Sequence, residues 1–187
     1  MFTEIINGVR LSFETANTSF SPSAVDKGTL ALLSVIDFSH FDKVLDLGCG
    51  YGVVGIYVAK LIGCQCVVMS DIDEESIKLS EKNTELNDIG GIRIIHSDGF
   101  KNIREKDFTL IISNPPYHSD FSVAKHFIEK GFNRLIIGGK MVMVTKRKDW
   151  YKNKLVAVFG GVRIIEIDGY FILTSEKRKS QYARMER

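Results

Sequence analysis

Six consecutive residues, Ser113-Asn114-Pro115-Pro116-Tyr117-His118, follow an apolar run and carry the most specific chemistry in this sequence. Proline fixes its own φ and biases the residue before it toward extended backbone, so the segment is stiff. Stiffness there aims the Asn114 side-chain carbonyl and the Pro115 backbone carbonyl at one point. Two such acceptors take both N–H bonds of a planar amino group and direct its nitrogen lone pair at an electrophile. That is catalysis by orientation and preorganised dipoles rather than by a strong base. Tyr117 suits stacking on the planar group that carries the amine, and His118 either contacts the same substrate or stands in solvent. A proline-stiffened connection around a core tyrosine is the plainer alternative.

Upstream, Asp46-Leu47-Gly48-Cys49-Gly50-Tyr51-Gly52 closes another apolar run, with Gly55 beyond it. Glycines at alternate positions let the backbone turn sharply and approach a ligand closely. Gly50, Gly52 and Gly55 also satisfy the G-x-G-x-x-G dinucleotide pattern, and tight packing of a strand on a helix asks for similar glycines. Asp71 ends the next strand, about 20 residues on, where an acid accepts the hydroxyl protons of a ribose. NAD and S-adenosylmethionine both carry that ribose. Asp46 separates them, because a carboxylate repels a pyrophosphate and attracts ammonium and sulfonium charges. After a third strand, Asp98, Gly99 and Phe100 offer an acceptor for an adenine amino group and an apolar wall, although Asp98 alone also suits a turn. Three acids ending three successive strands form a consistent cofactor cleft, in which Asp46 favours S-adenosylmethionine.

The elements that must hold these residues alternate along the chain. Asn7-Gly8 between two short arms reads as a hairpin turn, followed by a polar connector over 14–23 and a helix over 26–36. Strands are expected at 43–48, 64–71, 92–98, 108–114 and 140–146. Helices are expected at 52–62, after a cap at Asp73, at 122–136 and at 149–159. Two last strands meet through Asp168-Gly169. Alternating strands and helices, with strands apolar on both faces, predict an α/β fold: a mostly parallel sheet covered by helices, with one antiparallel strand from the terminal hairpin. Ligands in such sheets bind beyond the carboxyl ends of the strands.

The 187 residues and 44% hydrophobic content suit one compact domain over 1–187, with 1–23 as hairpin and lead-in and 24–187 as core. A net charge of +2 excludes a strongly basic nucleic-acid coat without excluding RNA. No apolar run is long enough to span a bilayer, and the first ten residues contain no signal-like apolar stretch. Cys49, Cys64 and Cys66 form no even framework, which suits a reducing cytoplasm. The histidines show no metal-ligand spacing, so no metal is expected. Lys146-Arg147-Lys148 follow the strand that neighbours the Asn114 strand and should share its rim. With Trp150, Tyr151, Lys152 and Lys154 they form a basic stretch interleaved with aromatics, suited to phosphate contact and base stacking, or to an ordinary solvated helix start. Lys177-Arg178-Lys179 should lie on the opposite rim.

Together these residues resemble the class I S-adenosylmethionine-dependent methyltransferases, and more narrowly the small-domain (MTS) family that includes ribosomal RNA guanine 2-amino methyltransferases. The resemblance rests on VLDLGCGYGVVGI (44–56), SDID (70–73), SDGF (97–100) and LIISNPPYH (110–118). GGKMVMVTKRK (138–148) and DGYFILTSEK (168–177) add to it, as do Ser19-Phe20-Ser21 and Asp26-Lys27-Gly28-Thr29. Thr18-Ser19 stand where the family commonly has Gly-Val. The resemblance implies a Rossmann-like fold with a seven-stranded sheet. It implies cofactor contacts at Asp46, Gly48, Gly50, Gly52, Asp71, Ile72, Asp98, Gly99, Phe100 and Asn114, and a target-amine site at Asn114, Pro115, Pro116 and Tyr117. The expected reaction is methyl transfer to an exocyclic amine, that of guanine in ribosomal RNA or a ribosomal subunit, with His118, Lys146, Arg147 and Lys148 on the substrate side. Adenine's amino group and a protein glutamine amide fit the same loop. A nicotinamide-dependent oxidoreductase built on the glycines, or an inactive cofactor-binding module, are the rivals from other classes.

Overall fold

A computed structural model describes residues 1–16, 23–115 and 121–183. The first two strands, β1 (Phe2–Ile6) and β2 (Val9–Phe13), pair antiparallel through Asn7 (φ 46°) and Gly8 (φ 84°). Asn and Gly are the residues that tolerate the left-handed region this turn demands. Helix α1 (Lys27–Leu33) begins where the Asp26 carboxylate accepts the Thr29 N–H at 3.0 Å.

The central sheet starts with β3 (Val44–Leu47), whose four residues are all buried. Next come α2 (Val53–Ile62), β4 (Val67–Asp71), α3 (Glu74–Leu86, capped by Asp73) and β5 (Arg93–His96). β6 (Phe108–Ser113), α4 (Ser122–Arg134), β7 (Leu135–Thr145), α5 (Lys148–Phe159), β8 (Arg163–Ile167) and β9 (Tyr170–Glu176) complete it. The seven strands lie in the order β5-β4-β3-β6-β7-β9-β8, parallel except for β9. Order reverses between β3 and β6, and the crevice beyond their carboxyl ends is where such sheets receive ligands.

One core packs α1, α2 and the hairpin on one face, and a second packs α4 and α5 on the other. Period-two alternation along β3 sends Val44 to the α2 face and Leu45 and Leu47 to the α4 face. Among the described residues no helix is long and apolar enough to cross a membrane.

Helix α1 ends at Leu33 rather than at 36 and β5 at His96 rather than at 98, and two further boundaries differ from the sequence expectation for a visible reason. Cys64–Cys66 form a 3-10 turn, not the start of β4, because Gly63 (φ 102°) ends α2 and its carbonyl accepts the Cys66 N–H. Ile136, expected in a helix, lies in β7, which begins directly at Leu135 and has an irregular register before Lys140. The polar connector over 17–22, and with it Thr18, Ser19, Phe20 and Ser21, lies outside the described residues.

The hairpin stays out of the central sheet. Its outer edge is matched instead by asparagines of α3 and its cap. Asn87 accepts the Ser12 N–H at 2.9 Å and donates to the Ser12 carbonyl at 2.7 Å. Asn83 accepts the Glu14 N–H at 2.7 Å and donates to the carbonyls of Glu14 and Tyr51, both at 2.9 Å.

Candidate active site

The glycine-rich loop leaves β3 at Leu47 and is anchored at once to β4. The Gly48 and Cys49 amides both donate to the Ser70 carbonyl, at 2.8 and 2.9 Å. Gly50, at φ 56°, sends its N–H to Asp71 Oδ2 at 2.8 Å, and its carbonyl accepts the Ser80 hydroxyl at 2.7 Å. The other Asp71 oxygen accepts the Asp73 N–H at 3.0 Å, so this carboxylate is oriented by backbone on both sides. Gly48, Gly50 and Asp71 line a cavity of about 690 Å³, within the ~300–1,000 Å³ range usual for small-molecule sites.

Gly52, expected as a cofactor contact, does not line that cavity. It caps α2 at φ 98°, and a Cβ there would stand 2.8 Å from Met69 Cε. A Cβ at Gly55 would stand 2.4 Å from Met69 Cγ. These two glycines let α2 approach β4, so the packing explanation holds for them.

Asp46 is 2% exposed and lines the cavity from β3. Its Oδ2 accepts the Gly55 N–H at 2.8 Å. Burial, with a smaller push from the Asp71 charge, raises its carboxyl to about 7 against the pull of that N–H. A buried acid at this value gains most from a cationic ligand, which favours its charged form.

Ile72, 62% exposed, lines the cavity with Asp98 and Gly99. Phe100 does not: it is 5% exposed, packs in the α4–α5 core and sits 6.3 Å from the His126 ring. Gly99 (φ 53°) turns the chain, and the apolar wall expected from Phe100 comes from Val123 and Phe127 of α4.

Asn114 and Pro115 line the same cavity from the end of β6, which the Ser113 hydroxyl ties to the Leu47 carbonyl at 2.7 Å. The Asn114 amide nitrogen donates to Asp26 Oδ2 and to Thr29 Oγ1, both at 2.9 Å. A carboxylate only accepts, so this pairing sets which end of the amide faces α1. Asp26 and Thr29 also line the cavity, and reasoning on site residues from sequence missed them. An acid before a helix signals a cap, and nothing local signals a partner 88 residues away. Pro116, Tyr117 and His118 lie outside the described residues.

Lys146, Arg147 and Lys148 follow the carboxyl end of β7, beside β6, on the rim that carries Asn114. Each cation lies over a ring: Lys146 over Tyr170 at 4.6 Å, Arg147 over Phe121 at 4.3 Å, Lys148 over Phe171 at 5.0 Å. Of the neighbouring aromatics, Tyr151 is turned inward, contrary to the expectation that it offers a stacking surface, and Trp150 is half-buried. Tyr151 is 3% exposed, and Trp150 stacks on Phe121 at 4.2 Å. Lys154 is paired with Glu129. Lys177 lies at the opposite rim, its N–H bonded to the Gly139 carbonyl at 2.8 Å.

A reversed-order parallel sheet, an antiparallel strand between its last two parallel ones, and an acid-lined glycine loop at the switch point define a Rossmann-like methyltransferase fold. The sequence model of the methyltransferase small domain matches residues 10–175, and the chain belongs to that family, whose cofactor is S-adenosylmethionine. It is similar to the ribosomal RNA small subunit methyltransferase C of Haemophilus ducreyi, 33% identical over 85% of this chain and 50% of that protein. It is also similar to the uncharacterized protein YbxB of Bacillus subtilis, 29% identical over 89% of this chain and 86% of the relative. Among solved structures it is similar to the T. thermophilus 16S rRNA N2 methyltransferase RsmC in complex with AdoMet and guanosine. That match has a TM-score of 0.83 at 28% identity and covers 95% of this chain and 50% of the other. This chain therefore spans about half the length of the ribosomal RNA methyltransferases it matches.

Proposed function

We propose that this chain transfers the methyl group of S-adenosylmethionine to the 2-amino group of guanine in small-subunit ribosomal RNA. The observation that carries the reading is a single cavity walled by Asp46 and Asp71 on one side and by Asn114 and Pro115 on the other. The donor set fits the cofactor: Asp46 would hold its ammonium, Asp71 its ribose hydroxyls, and Ile72 and Asp98 its adenine. The cofactor supplies an electrophilic methyl on a sulfonium. What the chain supplies is orientation: Asn114 Oδ1 and the Pro115 carbonyl accept the two N–H bonds of the target amine and aim its lone pair into the cavity. A base inside a helix cannot reach that point, so the target is unpaired or flipped out. Lys146, Arg147 and Lys148 contact the RNA backbone on the same rim. The Haemophilus and T. thermophilus relatives, both ribosomal RNA methyltransferases, support the RNA substrate.

The nicotinamide reading loses support at one atom. In dinucleotide sites the amino end of the helix after the first strand receives pyrophosphate. Here the Gly55 N–H in the first turn of α2 already meets the Asp46 carboxylate. Radiolabelled S-adenosylmethionine, offered with small ribosomal subunits, naked rRNA, DNA and a protein extract, tests the proposal. Label in rRNA that digests to N2-methylguanosine is the expected result. Label in N6-methyladenosine or in protein glutamine would replace guanine as the target, and no label in any pool would reject the activity.

A further inference from the structure

An asparagine that must present its carbonyl to an amine faces a problem of symmetry. The two ends of its amide are nearly the same size, and a half-turn about the last side-chain bond exchanges them. In the wrong orientation the NH2 group meets the N–H bonds of the target, and the lone pair is not localised. Rigidity of Pro115 fixes the backbone and leaves that half-turn open.

We propose that Asp26 and Thr29 are positioning residues for methyl transfer, holding the NH2 end of Asn114 on the start of α1 so that its carbonyl end is the one turned toward the substrate amine. Both Asn114 N–H bonds end on α1, at Asp26 Oδ2 and Thr29 Oγ1, each 2.9 Å away. Asp26 can play no other part in this pairing, because a carboxylate has no proton to give. Its position is fixed independently by the Thr29 N–H at 3.0 Å, so one oxygen serves the helix cap and the amide together. Thr29 is 7% exposed, which limits the access of competing water to its hydroxyl. Both residues line the cavity beside Asn114. Asp26 and Thr29, within the stretch that resembles the family's lead-in, therefore act on the reacting amine through Asn114.

The inference rests on the amine-methyltransferase reading, and its test separates the two. Thr29→Val removes the hydroxyl acceptor at nearly constant shape, and Thr29→Ser restores it. Asp26→Ser keeps a capping oxygen but is too short to reach Asn114. Single-turnover methyl transfer to the labelled RNA is measured with cofactor affinity by calorimetry, alongside solvent exchange of the Asn114 side-chain protons in 15N-labelled protein. Thr29→Val and Asp26→Ser should slow transfer about tenfold, while cofactor affinity stays within about twofold. The Asn114 protons should exchange faster in both, and Thr29→Ser should return rate and exchange to near wild type. If Asp26→Ser does not fold, the Thr29 pair decides alone. An unchanged rate or unchanged exchange in Thr29→Val overturns the proposal, as does a parallel loss of rate and cofactor affinity, which marks a merely structural role. Wild-type protein that methylates no amine overturns the functional reading, and this inference with it. An active wild type with an unaffected Thr29→Val overturns the positioning role only.

Discussion

Replacing Asp46 by Asn should make the ligand-free protein more stable and a poorer binder of its cofactor, and both effects should depend on pH. The sign follows from the raised carboxyl. An acid whose value climbs from 3.8 unfolded to about 7 folded holds its proton more tightly in the folded state. Folding is therefore penalised increasingly as pH rises from about 4, and the penalty levels off above about 7. A shift of about three units corresponds to ~4 kcal/mol at the plateau. Roughly half of that is already present at about pH 5.5, so ~2 kcal/mol accrues between about pH 5.5 and about pH 8. Asn carries no charge and can still accept the Gly55 N–H, so it escapes the penalty without losing that bond. Urea unfolding of both proteins at the two pH values measures the difference, and the variant's advantage should widen by ~2 kcal/mol at the higher pH. Calorimetry with S-adenosylmethionine should show wild-type affinity falling below about pH 7, as a proton must leave Asp46, with the variant at least ~10-fold weaker above it and nearly flat with pH. A stability difference independent of pH would refute the argument from burial. Equal affinity at high pH would remove Asp46 from the cofactor site.

Three further outcomes are expected. Asn114→Ala should lower single-turnover methyl transfer by ~10²–10³ with cofactor affinity nearly intact, as when other preorganised dipoles are removed; equal turnover would refute the amine-orienting role. Changing Lys146, Arg147 and Lys148 together to Ala should weaken RNA binding and flatten the salt dependence, by ~0.7–0.9 in slope for each phosphate no longer neutralised; a filter-binding series with unchanged slope would remove RNA from that rim. Asn83→Ala leaves the Glu14 N–H and the Glu14 and Tyr51 carbonyls without their partner. It should cost ~2–3 kcal/mol in urea unfolding, and a loss below ~0.5 kcal/mol would mean that the hairpin is not held through α3.

The readable part of this molecule is the part that local pattern dictates. Strands buried on both faces, such as β3 and β6, must be continuous apolar runs. Asn7-Gly8 and Asp168-Gly169 must adopt positive φ, and do. Acids that end parallel strands must meet at one rim, and Asp46, Asp71 and Asp98 line one cavity. What was hidden depends on pairs distant in sequence. Ser80, Asn83, Thr84 and Asn87 form a polar stripe at helical spacing that resembles a solvated face, yet none is more than 8% exposed. Ser80, Asn83 and Asn87 are buried because loop and strand backbone, not water, meets them, while the Thr84 hydroxyl bonds back to the Glu81 carbonyl of its own helix. Asp26 stood at the start of an expected helix and caps it, but its second partner comes from the end of β6. Gly52 and Phe100 stood inside matching motifs, and their surroundings assign them to packing.

The reversed course of β9 has a practical consequence. Because it runs against its neighbours, the chain returns to the far rim at Lys177, and Ala183 approaches Gly160 at the distal end of α5. A tether attached at Lys177 on this rim leaves the molecule on the side away from the cavity. Protein immobilised or fluorescently labelled there keeps the rim bearing Asn114 and Lys146 open to large partners, whereas a label at the hairpin would crowd α3 and the loop it steadies.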